Sequence, residues 1–118
     1  MEDQTKVPAA SLLDTWSSHD WSNSVQLNSL DDMTEIRVHT RNSLYEITVI
    51  DRIACDILIR GGQFFPQQTA AHLSGACLRG SFLKLGCIAC GFNMEVATED
   101  NVIVTSQVQT IEVLAPRR

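Results

Sequence analysis

From Glu35 onward, apolar and polar residues alternate, the pattern of strands with one face buried and the other in water. Ile36, Val38 and Thr40 alternate with Arg37, His39 and Arg41, predicting a strand with a basic outer face. Arg41-Asn42-Ser43 has the chemistry of a turn, since Asn tolerates a left-handed backbone and Ser bonds locally. Leu44 to Ile50 predicts a second strand, with Tyr45, Ile47 and Val49 on one face and Glu46 and Thr48 on the other. After a tight Asp51-Arg52 connection, Ile53 to Arg60 predicts a third, with Ile53, Cys55, Ile57 and Ile59 pointing inward. Connections this short make a meander.

Gly61-Gly62 is a turn signal, and Gln63-Phe64-Phe65 reads as a short edge segment stopped by Pro66, which cannot donate to a ladder. Gln67 to Gly80 has no clear period. It reads as a long connection holding a helical turn at Thr69–Leu73, ended by Gly75. Phe82 to Val96 resumes as strand, broken at Gly86 and Gly91, where glycine marks a bulge or a bend. Thr98 to Asn101 has the composition of a hairpin turn. Val102–Ser106 and Thr110–Leu114 then predict two further strands, and Pro116-Arg117-Arg118 a frayed end. The expected fold is all-β: a small barrel or barrel-like sandwich of about six or seven short antiparallel strands. Glycine-interrupted strands can turn a corner and serve two sheets, which favours the barrel.

The first 34 residues are different. They are polar, acidic and rich in Ser and Asn, and they predict an acidic arm ahead of a β domain spanning 35–116. Ser11-Leu12-Leu13-Asp14 has the form of a helix-starting box, and Leu12, Leu13 and Trp16 give a short apolar face. The arm reads either as a short helix docked through Trp16 and Trp21 or as a mobile tail. Residues 1–35 carry one basic residue against seven acidic ones, whereas the remainder carries eight against seven, so the body is close to neutral. A neutral body argues against a broad nucleic-acid surface. With 118 residues and 44% apolar, one domain with a real core is expected. The N-terminus has neither the basic start nor the apolar run of a secretory signal, and no apolar stretch has the length of a membrane span. A cytoplasmic location is expected, with the four cysteines as thiols.

Thr40-Arg41-Asn42-Ser43-Leu44-Tyr45-Glu46-Ile47 and Val104-Thr105-Ser106-Gln107-Val108-Gln109-Thr110-Ile111 carry an "NS-x-Y" hairpin and a "TS-x-V-x-x-I" strand. In these two segments the chain resembles small β-rich bacterial proteins of no assigned function. The resemblance implies a compact bacterial β domain and assigns no catalytic residue.

Three patterns carry candidate chemistry. Cys87-x-x-Cys90 is half of a zinc or redox motif, but it sits in an apolar run, and its further ligands would have to be Cys55, His72 or Cys77, singly placed. Read as plain structure, the four cysteines are small buried hydrophobes, and no metal or other cofactor is expected. Gly75 to Ser81 has the outline of a phosphate loop without its lysine. Gly75, Arg79, Gly80 and Ser81 would make an anion nest, and the bland alternative is a glycine-rich turn across a barrel mouth. Arg37, His39 and Arg41 form a basic stripe that would extend such a ligand site, with Tyr45 or Phe64 available for stacking. Glu46, Asp51 and Asp56 are interspersed with it, as on an ordinary solvated face. The histidines have no spacing that makes a catalytic set.

The expected function is non-enzymatic: association of this β domain with itself, as a homo-oligomer, or with another protein. Its surface would include Phe64, Phe65 and Pro66 against Trp16 or Trp21. The alternative is a binding module for a small anion, a nucleotide or single-stranded nucleic acid, using Arg37, Arg41 and the 74–81 loop. A zinc or redox protein built on Cys87 and Cys90 is the third reading.

Overall fold

The computed structural model describes residues 23–78 and 81–116, and over them the chain is all β with no α-helix. β1 (Ser24–Gln26) and a single 3-10 turn lead into β2 (Thr34–Thr40), β3 (Leu44–Asp51) and β4 (Asp56–Gly61), the expected meander. β5 (Phe65–Leu78), β6 (Ser81–Leu85), β7 (Cys87–Ala89), β8 (Asn93–Ala97) and β9 (Val102–Pro116) follow. The larger sheet runs β4-β3-β2-β9-β8-β5-β6, and β5 also pairs with β4. That extra pairing closes β2, β3, β4, β5, β8 and β9 into a six-stranded antiparallel ring, and β6 hangs outside it. The fold is a barrel.

Closure depends on the length of β5. Its first half lies against β4, with Ile59 opposite Thr69 and Asp56 opposite His72. Its second half has β8 on one edge and β6 on the other, with Gly75 opposite both Glu95 and Leu85. β9 divides its length in the same way, pairing with β8 up to Gln107 and with β2 from Val108 onward. Two long strands that each change partner let four shorter ones complete a cylinder, the arrangement that removes open edges.

Alternation fills the interior. Ile36 and Val38 from β2, Tyr45, Ile47 and Val49 from β3, and Ile57 and Ile59 from β4 are all buried, meeting Leu73, Met94 and Val96 from the far wall. One end is closed by the β1–β7 ribbon, which places Leu27 and Ile88 in the same core, both with no exposed surface. A second, smaller cluster joins Cys87 and Ala89 of the ribbon to Ala76 and Phe92.

Several expectations are corrected. Gln67 to Leu78 is neither a loop nor a helical turn but most of β5. Its period was hidden because Thr69 and Ala71 are too small to read as a buried face, and because a bulge between Leu73 and Gly75 shifts the alternation. Pro66 does not stop a strand. It stands in a bulge where the β4 register jumps from Ile59/Thr69 to Gly61/Phe65, so its missing N–H costs no ladder bond. Phe65 is a core residue, 1% exposed, not part of a contact surface. Ile53 is 71% exposed instead of inward, because Asp51 to Cys55 is a turn. The Asp51 carboxylate holds that turn by accepting from the N–H groups of Ile53 and Ala54 (both 3.0 Å). The two strands predicted after residue 101 are the single β9.

The acidic arm also ends earlier than residue 34. Ser24 is already in a strand, and Arg52 donates from its backbone to Asp32 Oδ1 (2.9 Å) and from Nη1 to the Asn28 carbonyl (2.8 Å), fastening this stretch to the β3–β4 turn. The helix-starting box at Ser11, Trp16 and Trp21 lies outside the described residues.

Candidate functional site

Cross-strand pairing decides the fate of the basic stripe. Arg60, Glu46, Arg37 and Glu112 stand directly opposite one another on β4, β3, β2 and β9, a row of alternating charge across four strands. Neighbours in register share a face, so each charge meets its opposite. Arg60 Nε donates to Glu46 Oε1 (3.0 Å), with Nη2 closing on the same oxygen, and Arg37 lies 4.0 Å from Glu112. Arg37 is thus matched on both sides. Arg41 is exposed at the β2–β3 turn and forms no ion pair with a described residue, while its N–H donates to the Gln107 carbonyl (2.9 Å). One exposed arginine does not make a stripe.

The Arg60 guanidinium, through its hydrogen bond and its charge, holds the Glu46 carboxyl below the usual carboxylate range. A folded pKa below the unfolded one stabilises the fold above the unfolded value, about 4.3, and the gain disappears as pH falls through the lowered folded value. Both side chains are substantially exposed, so the pair contributes less than about 1 kcal/mol. Glu46→Gln is expected to lower the melting temperature by a few degrees at about pH 7 and by nothing at about pH 2. An equal drop at both pH values in parallel thermal melts would refute the ion-pair account.

The glycine-rich candidate is spread over a hairpin. Gly75 lies inside β5 and Ser81 begins β6, while Arg79 and Gly80 lie outside the described residues. Gly75 to Cys77 are paired on both edges, so their backbone groups serve the two ladders before any anion. Gly75 has φ +149°, and a Cβ there would stand 2.0 Å from the Lys84 carbonyl oxygen. Its glycine is required by the close approach of β6.

The cysteines do not converge. Cys87 packs in the smaller cluster and Cys90 against the main core, so the two thiols of the C-x-x-C face different interiors. Among the described residues no three His, Cys, Asp or Glu side chains come together as a metal site, and none of the four cysteines is in a disulfide. Burial pushes the Cys55, Cys87 and Cys90 thiols above their ordinary pKa, and Asp56 and Asp51 push Cys55 further. Raised thiol pKa values disfavour the thiolate that metal binding and redox exchange require.

Two surfaces hold more. On the outside of β6, β5, β8 and β9, Leu85, Gly75, Glu95 and Val104 are consecutive register partners and share one face. Leu83 and Val102, two residues along their strands, extend it. Leu85 is 73% and Val102 64% exposed, with Leu83 and Val104 above 40%. At the β2–β3 turn, the two segments singled out in sequence meet. Ser106 Oγ donates to Thr40 Oγ1 (2.8 Å) and accepts from the Asn42 N–H (3.1 Å). Thr40 Oγ1 also accepts from the Ser43 N–H (3.1 Å), so β9 is tied to the β2–β3 turn by a hydroxyl network.

Fold and surfaces together define a small closed antiparallel β barrel. No helix among the described residues is long and apolar enough to cross a membrane. Compared with protein-family models, with curated proteins and with solved structures, the chain matches none.

Proposed function

We propose that this protein is a non-enzymatic β domain that works by self-association, two copies meeting through the outer face of β6, β5, β8 and β9. The observation that supports this is the grouping of Leu83, Leu85, Val102 and Val104 on one side of the barrel, where a solitary domain gains nothing from exposing them. The patch is suited to a two-fold partner. Leu85 and Val104 stand on either side of Gly75 and Glu95 in the register, and the same face of a second copy offers the same apolar side chains in return. Apolar knobs at the centre with a charge beside them are the usual make-up of a specific interface.

The test is the mass of the full chain in solution. Wild-type protein is expected to be a dimer at tens of micromolar by light scattering after gel filtration, with a dissociation constant of about 1 µM. Leu85→Lys with Val104→Lys is expected to raise that constant at least about 100-fold, leaving the melting temperature of the dissociated barrel within a few degrees. A wild-type chain that stays monomeric at about 100 µM would remove this reading.

A further inference from the structure

The geometry points to a recognition pocket for an uncharged nitrogen heterocycle of the nucleobase type, at the barrel end where the β2–β3 and β4–β5 turns meet β9. A cavity of about 420 Å³ lies there, within the range of small-molecule sites. The larger groove on the outside of β2 and β3 contains the Arg60–Glu46–Arg37 row, whose charges already satisfy one another. The pocket at the turns is different. None of its lining side chains is charged, and it contains both an aromatic ring and unspent hydrogen-bonding groups.

Tyr45 is the central group. Its side chain belongs to the barrel core, 3% exposed, with its ring edge-on to Phe65 at 6.5 Å between centroids. Its hydroxyl forms no hydrogen bond with another described residue, and the tyrosine lines the cavity. That hydroxyl comes up beneath Gly62, where a Cβ would stand 2.7 Å from it. Gly62, at φ +60°, thus makes the turn, and only a glycine lets the backbone pass this close to the phenol at the edge of the cavity.

The remaining groups fix the kind of ligand. Ser106 and Thr105 are committed within the protein: Ser106 to Thr40 and Asn42, Thr105 to the Met94 N–H (3.1 Å) and the Ser106 carbonyl (2.8 Å). What is left uncommitted is the Asn42 amide, the Gln63 amide and the Ser43 and Tyr45 hydroxyls, with Phe64 beside them, 49% exposed. Primary amides present a donor and an acceptor side by side, which matches the edge of a nucleobase, and an exposed ring offers it a stacking face. With no charged lining residue, the pocket selects the base and not a phosphate.

The experiment is a titration of the full, isotopically labelled chain with adenosine, guanosine, cytidine and uridine, and with methyl glucopyranoside as a sugar control. It is followed by NMR at the Gly62 amide and the Asn42 and Gln63 side-chain amides. At least one nucleoside is expected to give saturable shifts confined to these groups, with a dissociation constant between about 10 µM and 1 mM. Phe64→Ala is expected to weaken binding by a factor of about 5 to 100. Tyr45→Phe is expected to weaken it about fivefold or more, while leaving the ligand-free melting temperature unchanged or higher, because it deletes an unpartnered hydroxyl and keeps the ring. The inference is overturned by the absence of nucleoside shifts up to about 10 mM. It is equally overturned by shifts from the glucoside alone, or by affinity that neither substitution changes.

Discussion

Gly75→Ala is expected to break the barrel wall where β6, β5 and β8 run side by side. The added methyl would stand 2.0 Å from the Lys84 carbonyl oxygen and 2.8 Å from its carbon. Both are backbone atoms of the neighbouring strand, so no side chain can swing away to make room. The residue also holds φ +149°, which an L-residue with a side chain rarely adopts. The remaining escape is for β6 to separate from β5, and this would uncover the cluster of Ala76, Cys87, Ala89 and Phe92. Backbone strain and overpacking together put the cost at about 3–6 kcal/mol. That is a fall in melting temperature of roughly 15–30 °C, or outright failure to fold. Thermal melts by circular dichroism measure it, and hydrogen exchange at Leu83 and Leu85 shows whether β6 is the part that detaches. A variant melting within about 5 °C of the wild type would mean that β6 does not approach β5 this closely.

Phe65→Ala and Phe64→Ala should differ sharply, although the two residues are adjacent and chemically identical. Phe65 is 1% exposed, its ring edge-on to Tyr45, in the core with Ile59 and Leu73. Removing it leaves a cavity that a closed ring of strands cannot collapse to fill, at a cost of about 3–5 kcal/mol. Phe64 points away and is 49% exposed, so its removal should cost less than about 1 kcal/mol. Urea denaturation of both variants separates the cases by midpoint alone. Equal destabilisation, or a Phe65 variant that changes oligomeric mass and not stability, would restore the surface role that the sequence pattern suggested for Phe65.

That pair shows where sequence legibility ended. Phe64-Phe65-Pro66 reads as exposed aromatic surface because Pro66 looks like a strand stop, yet the bulge opposite Arg60 absorbs the proline and lets β5 run on through Leu78. The strands over β2, β3 and β4 were readable because bulky β-branched residues mark every second position: Ile36 and Val38, then Ile47 and Val49, then Ile57 and Ile59. β5 was not readable, because Thr69, Ala70, Ala71 and His72 carry too little contrast between faces. Leu27 was equally hidden. Val25, Leu27 and Leu30 in a polar stretch are too few to establish a period, and the place of Leu27 in the core depends on β1 pairing with β7.

The candidate sites divide along the same line. Arg37 was visible as an exposed cation, but its match with Glu112 required β9 to lie beside β2, at the opposite end of the chain. Cys87 and Cys90 stood out as a pair in the sequence, but the fold packs them against different clusters. The meeting of Tyr45, Gly62 and Ser106 had no signal in sequence beyond the turn chemistry of each piece.

By itself, the sequence determined the all-β class, the positions of most turns and which side chains of the well-marked strands face inward, because alternation is a property of extended backbone that each strand carries with it. Tertiary structure alone decided that the strands close into a ring, which charges cancel, which phenylalanine is core and which glycine admits a neighbour. Those depend on which distant segments become neighbours, and partner choice is settled by the summed burial and hydrogen bonding of the whole ring.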